Sequence, residues 1–191
     1  MKKINLNVMI FMSLCIVINL IGGFIALSFK LPIYIDTIGT LLSGVLLGPI
    51  NGGIVGGLTA IVNGATFDSV SIYFMPVQIM VGLSTGVCFK NSKFEGIKSV
   101  VSIVLITILG SITASIVAAF MFNGVTSSGS SIFVAVFKNL GISTVTAVFS
   151  TQIFTDLLDK AVSFALVFSV IKAMPIKITM NLVRNEINGQ I

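Results

Sequence analysis

Histidine and tryptophan are absent from this sequence of 191 residues, and aspartate and glutamate together number only six. Without histidine no H-E-x-x-H motif or histidine-cluster metal site exists, and the commonest general base is missing. No G-x-S-x-G elbow occurs, and the carboxylates lack the paired spacing of a metal-bound phosphotransferase. These gaps argue against enzyme chemistry, and no metal or cofactor is expected. The two cysteines, Cys15 and Cys88, sit inside apolar runs without C-x-x-C spacing, so they read as packing residues rather than a disulfide or metal pair. Charge is scarce too. Only 9% of residues are charged, against roughly a quarter in a soluble domain. The net charge of +5 gathers in no dense basic run, which excludes a nucleic-acid partner and leaves membrane topology as its explanation. There is no low-complexity tract or long linker.

What remains is apolar: 55% hydrophobic residues and a mean hydropathy of +1.12. A helix needs about 20 such residues to cross roughly 30 Å of hydrocarbon, and hydrophobic runs place six spans near Val8 to Phe29, Ile35 to Leu47, Gly53 to Phe67, Ile72 to Phe89, Val100 to Phe122 and Phe154 to Ala173. Ser131 to Ser150, interrupted by Lys138, Asn139 and Gly141, reads as an interfacial or re-entrant segment. The predicted fold is an all-α integral membrane bundle of about six helices in one domain. With six crossings and the N-terminus inside, Lys2, Lys3, Lys90, Lys93, Lys98, Lys172, Lys177 and Arg184 are cytoplasmic, and only Lys30, Lys138 and Lys160 fall outside. That distribution obeys the positive-inside rule and puts both termini in the cytoplasm. The opening "MKKINLNVMIFMSLCIVINLIGG" reads as an anchor, since its apolar stretch is too long for a signal peptide and no A-x-A site follows.

Polar residues recur at helical spacing. Asp36, Thr40 and Ser43 share one face of the second span; Thr59, Asn63 and Thr66 share one of the third, with Asp68 beyond; Ser71, Gln78 and Thr85 follow at intervals of seven. Hydroxyls of this kind commonly tie helices together. Larger groups at membrane depth, such as Asp36, Asn63 and Gln78, are costly enough to suggest a ligand or gate. In "TDLLDKAVSF", Asp156 precedes Lys160 by four residues, the spacing of a helical ion pair, while Asp159 points elsewhere. The segment reads either as an outer-boundary anchor or as the mouth of a cavity. Tyr34, Phe67, Tyr73 and Phe74 fall in predicted outer loops, where they form an interfacial belt or the wall of a pocket. Gly44, Gly48, Gly52, Gly56, Ala60 and Gly64 form a ladder at every fourth position that turns at "GPINGG", a pattern for close helix packing. The turn lacks the lysine and Ser/Thr ending of a P-loop, so nucleotide binding is excluded for it.

Two stretches, "LPIYIDTIGTLLSGVLLGPINGGIVGGLTAIVNG" and "DKAVSFALVFSVIKAMP", resemble the substrate-binding S components of energy-coupling factor (ECF) transporters. More narrowly they are similar to the riboflavin-transporter-like group, in which a P-I-x-x-D-T-I-G-T run, a G-P turn and a D-K pair recur. The resemblance implies a subunit of the cell membrane that captures a vitamin-like molecule at its outer side, riboflavin or a queuosine-type base precursor being favoured. It further implies association with a transmembrane T component and two ATPase subunits that supply the energy, and tipping in the bilayer to release cargo inside. Expected ligand contacts are Tyr34, Asp36, Thr40, Asn63, Asp68, Tyr73, Gln78 and Asp156. The family docks its T component through small residues on helix one, often A-x-x-x-A; the nearest match is Gly22-x-x-x-Ala26. The alternative reading is a ligand-sensing membrane domain that signals to a partner chain.

Overall fold

The computed structural model describes residues 6–89, 96–175, 179 and 182. Its helices are α1 (Leu6–Ser28), α2 (Ile38–Thr66), α3 (Met75–Phe89), α4 (Gly96–Phe122), α5 (Ser131–Asn139) and α6 (Thr144–Ala173), with a 3-10 helix over Ser69–Phe74. There is no strand among the described residues. Lys2, Lys3, Lys90, Lys93, Lys177 and Arg184, on which the charge-based topology leans, lie outside them.

α2 is two helices in one. Gly48 takes φ 79°, a left-handed backbone suited to glycine, and Pro49 follows it. The chain reverses there, and Asn51 Nδ2 donates to the carbonyl of Leu47 at 2.8 Å, satisfying a freed end group of the first arm. Thr40 and Gly56 would lie about 24 Å apart on a straight helix; instead, a Cβ added at Gly56 would stand 3.1 Å from Thr40 Cγ2. The two short spans expected from the sequence are therefore the arms of this hairpin. The glycine ladder faces α3: Cβ atoms added at Gly44, Gly52 and Gly56 would crowd the backbone or side chains of Gly82, Thr85 and Gln78.

That fit yields a prediction. A Cβ on Gly82 would collide with the main chain of Gly52, which has no side-chain freedom to yield. On Gly57 it would meet only the flexible Ile79 side chain, at 3.3 Å. Gly82→Ala should abolish most monodisperse protein in detergent, and Gly57→Ala should leave the yield near wild type. Equal yields by size-exclusion chromatography would contradict this packing.

Asn19, fully buried on α1, fastens both arms. Its Nδ2 donates to Thr40 Oγ1 at 2.9 Å and Thr59 Oγ1 at 3.0 Å, and its Oδ1 accepts from the Gly39 amide at 2.6 Å. Every polar atom of that amide is used, which makes it affordable in an apolar core built on Leu41, Leu47, Val55, Ile106 and Val167. Around the core, Leu14, Ile21 and Phe24 on α1 and Val100, Leu105 and Ile108 on α4 face outward. An apolar exterior over apolar helices of this length is a lipid-facing surface.

The expected single segment Ser131 to Ser150 is divided. α5, with 9 residues, is too short to cross and packs Val134 against Ala118, Ala147 and Val148. After a turn, Ser143 caps α6, accepting from the Thr146 amide at 3.2 Å. α6 thus begins ten residues before the expected Phe154. Any 18-residue window of α6 includes Asp156, Asp159 and Lys160, so hydropathy alone does not reveal its length. With the two arms of α2 taken separately, six long helical segments run through the bundle among the described residues. The 29–37, 67–74 and 123–143 connections gather at one end.

Candidate functional site

At that looped end lies a cavity with about 640 Å³ of empty space, its open mouth included. The first arm of α2 starts only at Ile38, and the nonhelical stretch before it folds down into the bundle. Ile35 pays the conformational cost, with φ 52° in a β-branched residue. What holds it is α6. Asp159 Oδ1 accepts from the amides of Tyr34 at 3.2 Å and Ile35 at 2.8 Å, and its Oδ2 pairs with Lys160 Nζ at 2.6 Å. Lys160 also donates to Thr37 Oγ1 at 3.2 Å. On α1, Gly22 lets the Ile35 carbonyl lie against the helix where any side chain would collide.

A second connection closes over the first. The Gly129 amide donates to the Leu31 carbonyl at 3.2 Å, and the Tyr34 and Thr126 hydroxyls meet at 3.4 Å. Asp68 joins the third: it accepts from the Val70 amide, from Ser71 Oγ at 2.8 Å and from Ser127 Oγ at 2.9 Å. Nonhelical backbone at such depth is stable because protein, not lipid, surrounds it.

Five of the expected contacts, Tyr34, Asp36, Asp68, Gln78 and Asp156, line this cavity. Asn63 borders an adjoining recess that shares Tyr34, Asp36 and Asp68. Two others sit elsewhere. Thr40 is fully buried beneath the floor, accepting from Asn19 and donating to Gln78 Oε1 at 3.2 Å. Tyr73 is half exposed and packs edge-on against Phe122 at 5.3 Å, so the aromatic wall is Tyr34 with Phe74, ring centroids 6.4 Å apart. The 3-10 turn decides which of the neighbouring rings points inward.

Gly22 and Ala26, the expected docking pair, are both buried, Gly22 under the Ile35 carbonyl and Ala26 beside the recess. Their face of α1 is taken by the chain's own loop.

Asp159 and Lys160 are absent from the contacts expected from the sequence, where their segment reads either as an outer-boundary anchor or as the mouth of a cavity. They lie midway along a helix of 30 residues, at 2% and 6% exposure, and Lys160 pairs with its neighbour Asp159 rather than with Asp156. The signal was present in the oddity of a cation between apolar turns, a position that demands a buried partner. Asp156 instead accepts from Gln152 Nε2 at 3.0 Å.

A protein-family model described as "ECF transporter, substrate-specific component" matches residues 7–171. Comparison with curated proteins and with solved structures gave no match. The family match spans nearly all of a bundle of six long helical segments with a loop-roofed polar cavity, and the chain belongs to the substrate-specific components of ECF transporters, the membrane-embedded subunits that bind the imported substrate.

Proposed function

We propose that the cavity at the looped end captures a vitamin-like micronutrient from outside the cell. The observation that carries this reading is the convergence of Tyr34, Asp36, Gln78 and Asp156, from one loop and two helices, on a single space roofed by three connections. Concave sites with a few convergent polar groups on apolar walls are the usual form of a small-molecule site. Phe74 and Tyr34 supply flat faces suited to a heteroaromatic ring, which supports riboflavin or a queuosine-type base precursor as cargo. The looped end then faces outward and both termini lie in the cytoplasm; a transmembrane T component and two ATPase subunits engage the chain, and the ATPases hydrolyse ATP for it.

Purification from cells grown in rich medium, followed by mass spectrometry of the released small molecules, tests the reading. A stoichiometric vitamin-like compound is the expected result. Protein that carries none, and binds none of the candidate vitamins, would overturn it.

A further inference from the structure

The polar groups around the cavity are unbalanced. Four carboxylates, Asp36, Asp68, Asp156 and Asp159, face one ammonium, Lys160. Two of the four are satisfied from within: Asp68 by Val70, Ser71 and Ser127, and Asp159 by Lys160 and two loop amides. Lys160 gives two of its three N–H bonds to Asp159 and Thr37. Among the described residues no cation pairs with Asp36 or Asp156. Gln78 Nε2 donates to the main-chain carbonyl of Asp36, and Gln152 occupies one oxygen of Asp156.

An independent observation comes from Asn63, at 3% exposure in the adjoining recess. Ser71 gives its only hydroxyl proton to Asp68, so the Asn63 atom 3.3 Å from Ser71 Oγ must be the donor Nδ2. That fixes Oδ1 as the other atom, and it is buried without a hydrogen-bond partner. A buried acceptor in that state is costly unless something donates to it. The open positions around this space thus include several acceptors, two of them carboxylates that no cation pairs, beside the remaining N–H of Lys160.

Resting on the capture reading above, we propose that the cargo is a planar cation: an aromatic or heteroaromatic ring bearing a protonated amine or amidine, its N–H groups directed at Asp36 and Asp156. The Asn63 Oδ1 is a further acceptor for a substituent that reaches the recess. The ring lies along Tyr34 and Phe74, whose faces also attract a positive charge. A carboxylate or phosphate in the same place would face unpaired like charge. A protonated base is thereby favoured over a neutral flavin.

The test uses purified full-length protein in detergent and two pairs of probes matched in shape and opposite in charge: benzamidine with benzoate, and tryptamine with indole-3-acetate. Thermal stabilisation is measured for each. The cationic member of each pair should raise the unfolding midpoint and the anionic member should not. Asp36→Asn and Asp156→Asn should each weaken the cation's apparent affinity about tenfold or more, the scale of one charge-assisted hydrogen bond. Stabilisation by the anions, equal stabilisation by both members, or none by either cation would overturn the charge assignment. A stoichiometric anionic or neutral compound in the purified protein would do the same while leaving the capture reading intact. Failure to carry or bind any small molecule would instead remove the capture reading.

Discussion

Lys160→Met should be among the most damaging single substitutions in this chain. The methionine fits the space, but Asp159, at 2% exposure, is left without the cation 2.6 Å away. Removing one partner of a buried pair costs roughly 3–5 kcal/mol, mostly as the penalty of the stranded charge. The damage also spreads, because Asp159 holds the amides of Tyr34 and Ile35 and with them a strained loop. Thermal unfolding in detergent should show a steep loss for Lys160→Met. The double variant Asp159→Asn/Lys160→Met should recover part of it, since a neutral amide oxygen still accepts from the loop amides and no buried charge remains. If the double variant is less stable than the single, Lys160 serves something other than neutralising Asp159.

Asp36→Ala should behave in the opposite way, with a large loss of ligand and a small loss of fold. Its side chain lines both the cavity and the recess, and the Gln78 bond it receives goes to its main chain, which alanine keeps. Loss of a charged hydrogen-bonding partner at a binding site costs about 2–3 kcal/mol, or roughly a hundredfold in affinity. Purified side by side, the variant should elute as a monodisperse peak in near wild-type yield but without the small molecule that accompanies the wild type. A variant that retains the compound in full would exclude Asp36 from the site.

The contrast between these two aspartates marks what the sequence made legible. Asp36 could be read because it follows Pro32 at the edge of a span too short to cross, where a carboxylate needs a protein-lined space. The glycine ladder could be read because small residues at every fourth position have one main use, close approach of backbones, and α3 supplies the partner surface. Asn63 and Gln78 carried the same mark of large polar groups at membrane depth, while Asp68 was read beyond the third span and Asp156 at the start of the last; all four border the cavity or its recess.

What escaped was set by tertiary contact. Lys160 with Asp156 has the better helical spacing, yet Lys160 chooses Asp159, because two loop amides already orient that carboxylate and a long lysine chain can fold back to it. No local rule contains that loop. Tyr73 and Phe74 are equivalent as sequence, and only the 3-10 turn that Asp68 caps decides which ring turns inward. The start of α6 was hidden because Thr144, Thr146, Thr151 and Gln152 lower its hydropathy, although Thr151 and Gln152 are buried in the bundle. Gly22 and Ala26 match a docking spacing, and at Gly22 the same small size admits the chain's own Ile35 carbonyl.

The most direct test of the central claim is an experimental structure of the protein as purified from rich-medium cells, with its accompanying small molecule in place. The account predicts ligand density beside the Tyr34 and Phe74 rings with its polar edge toward Asp36 and Asp156. Density on the lipid-facing surface or at the opposite end of the bundle, with this cavity empty, would contradict it.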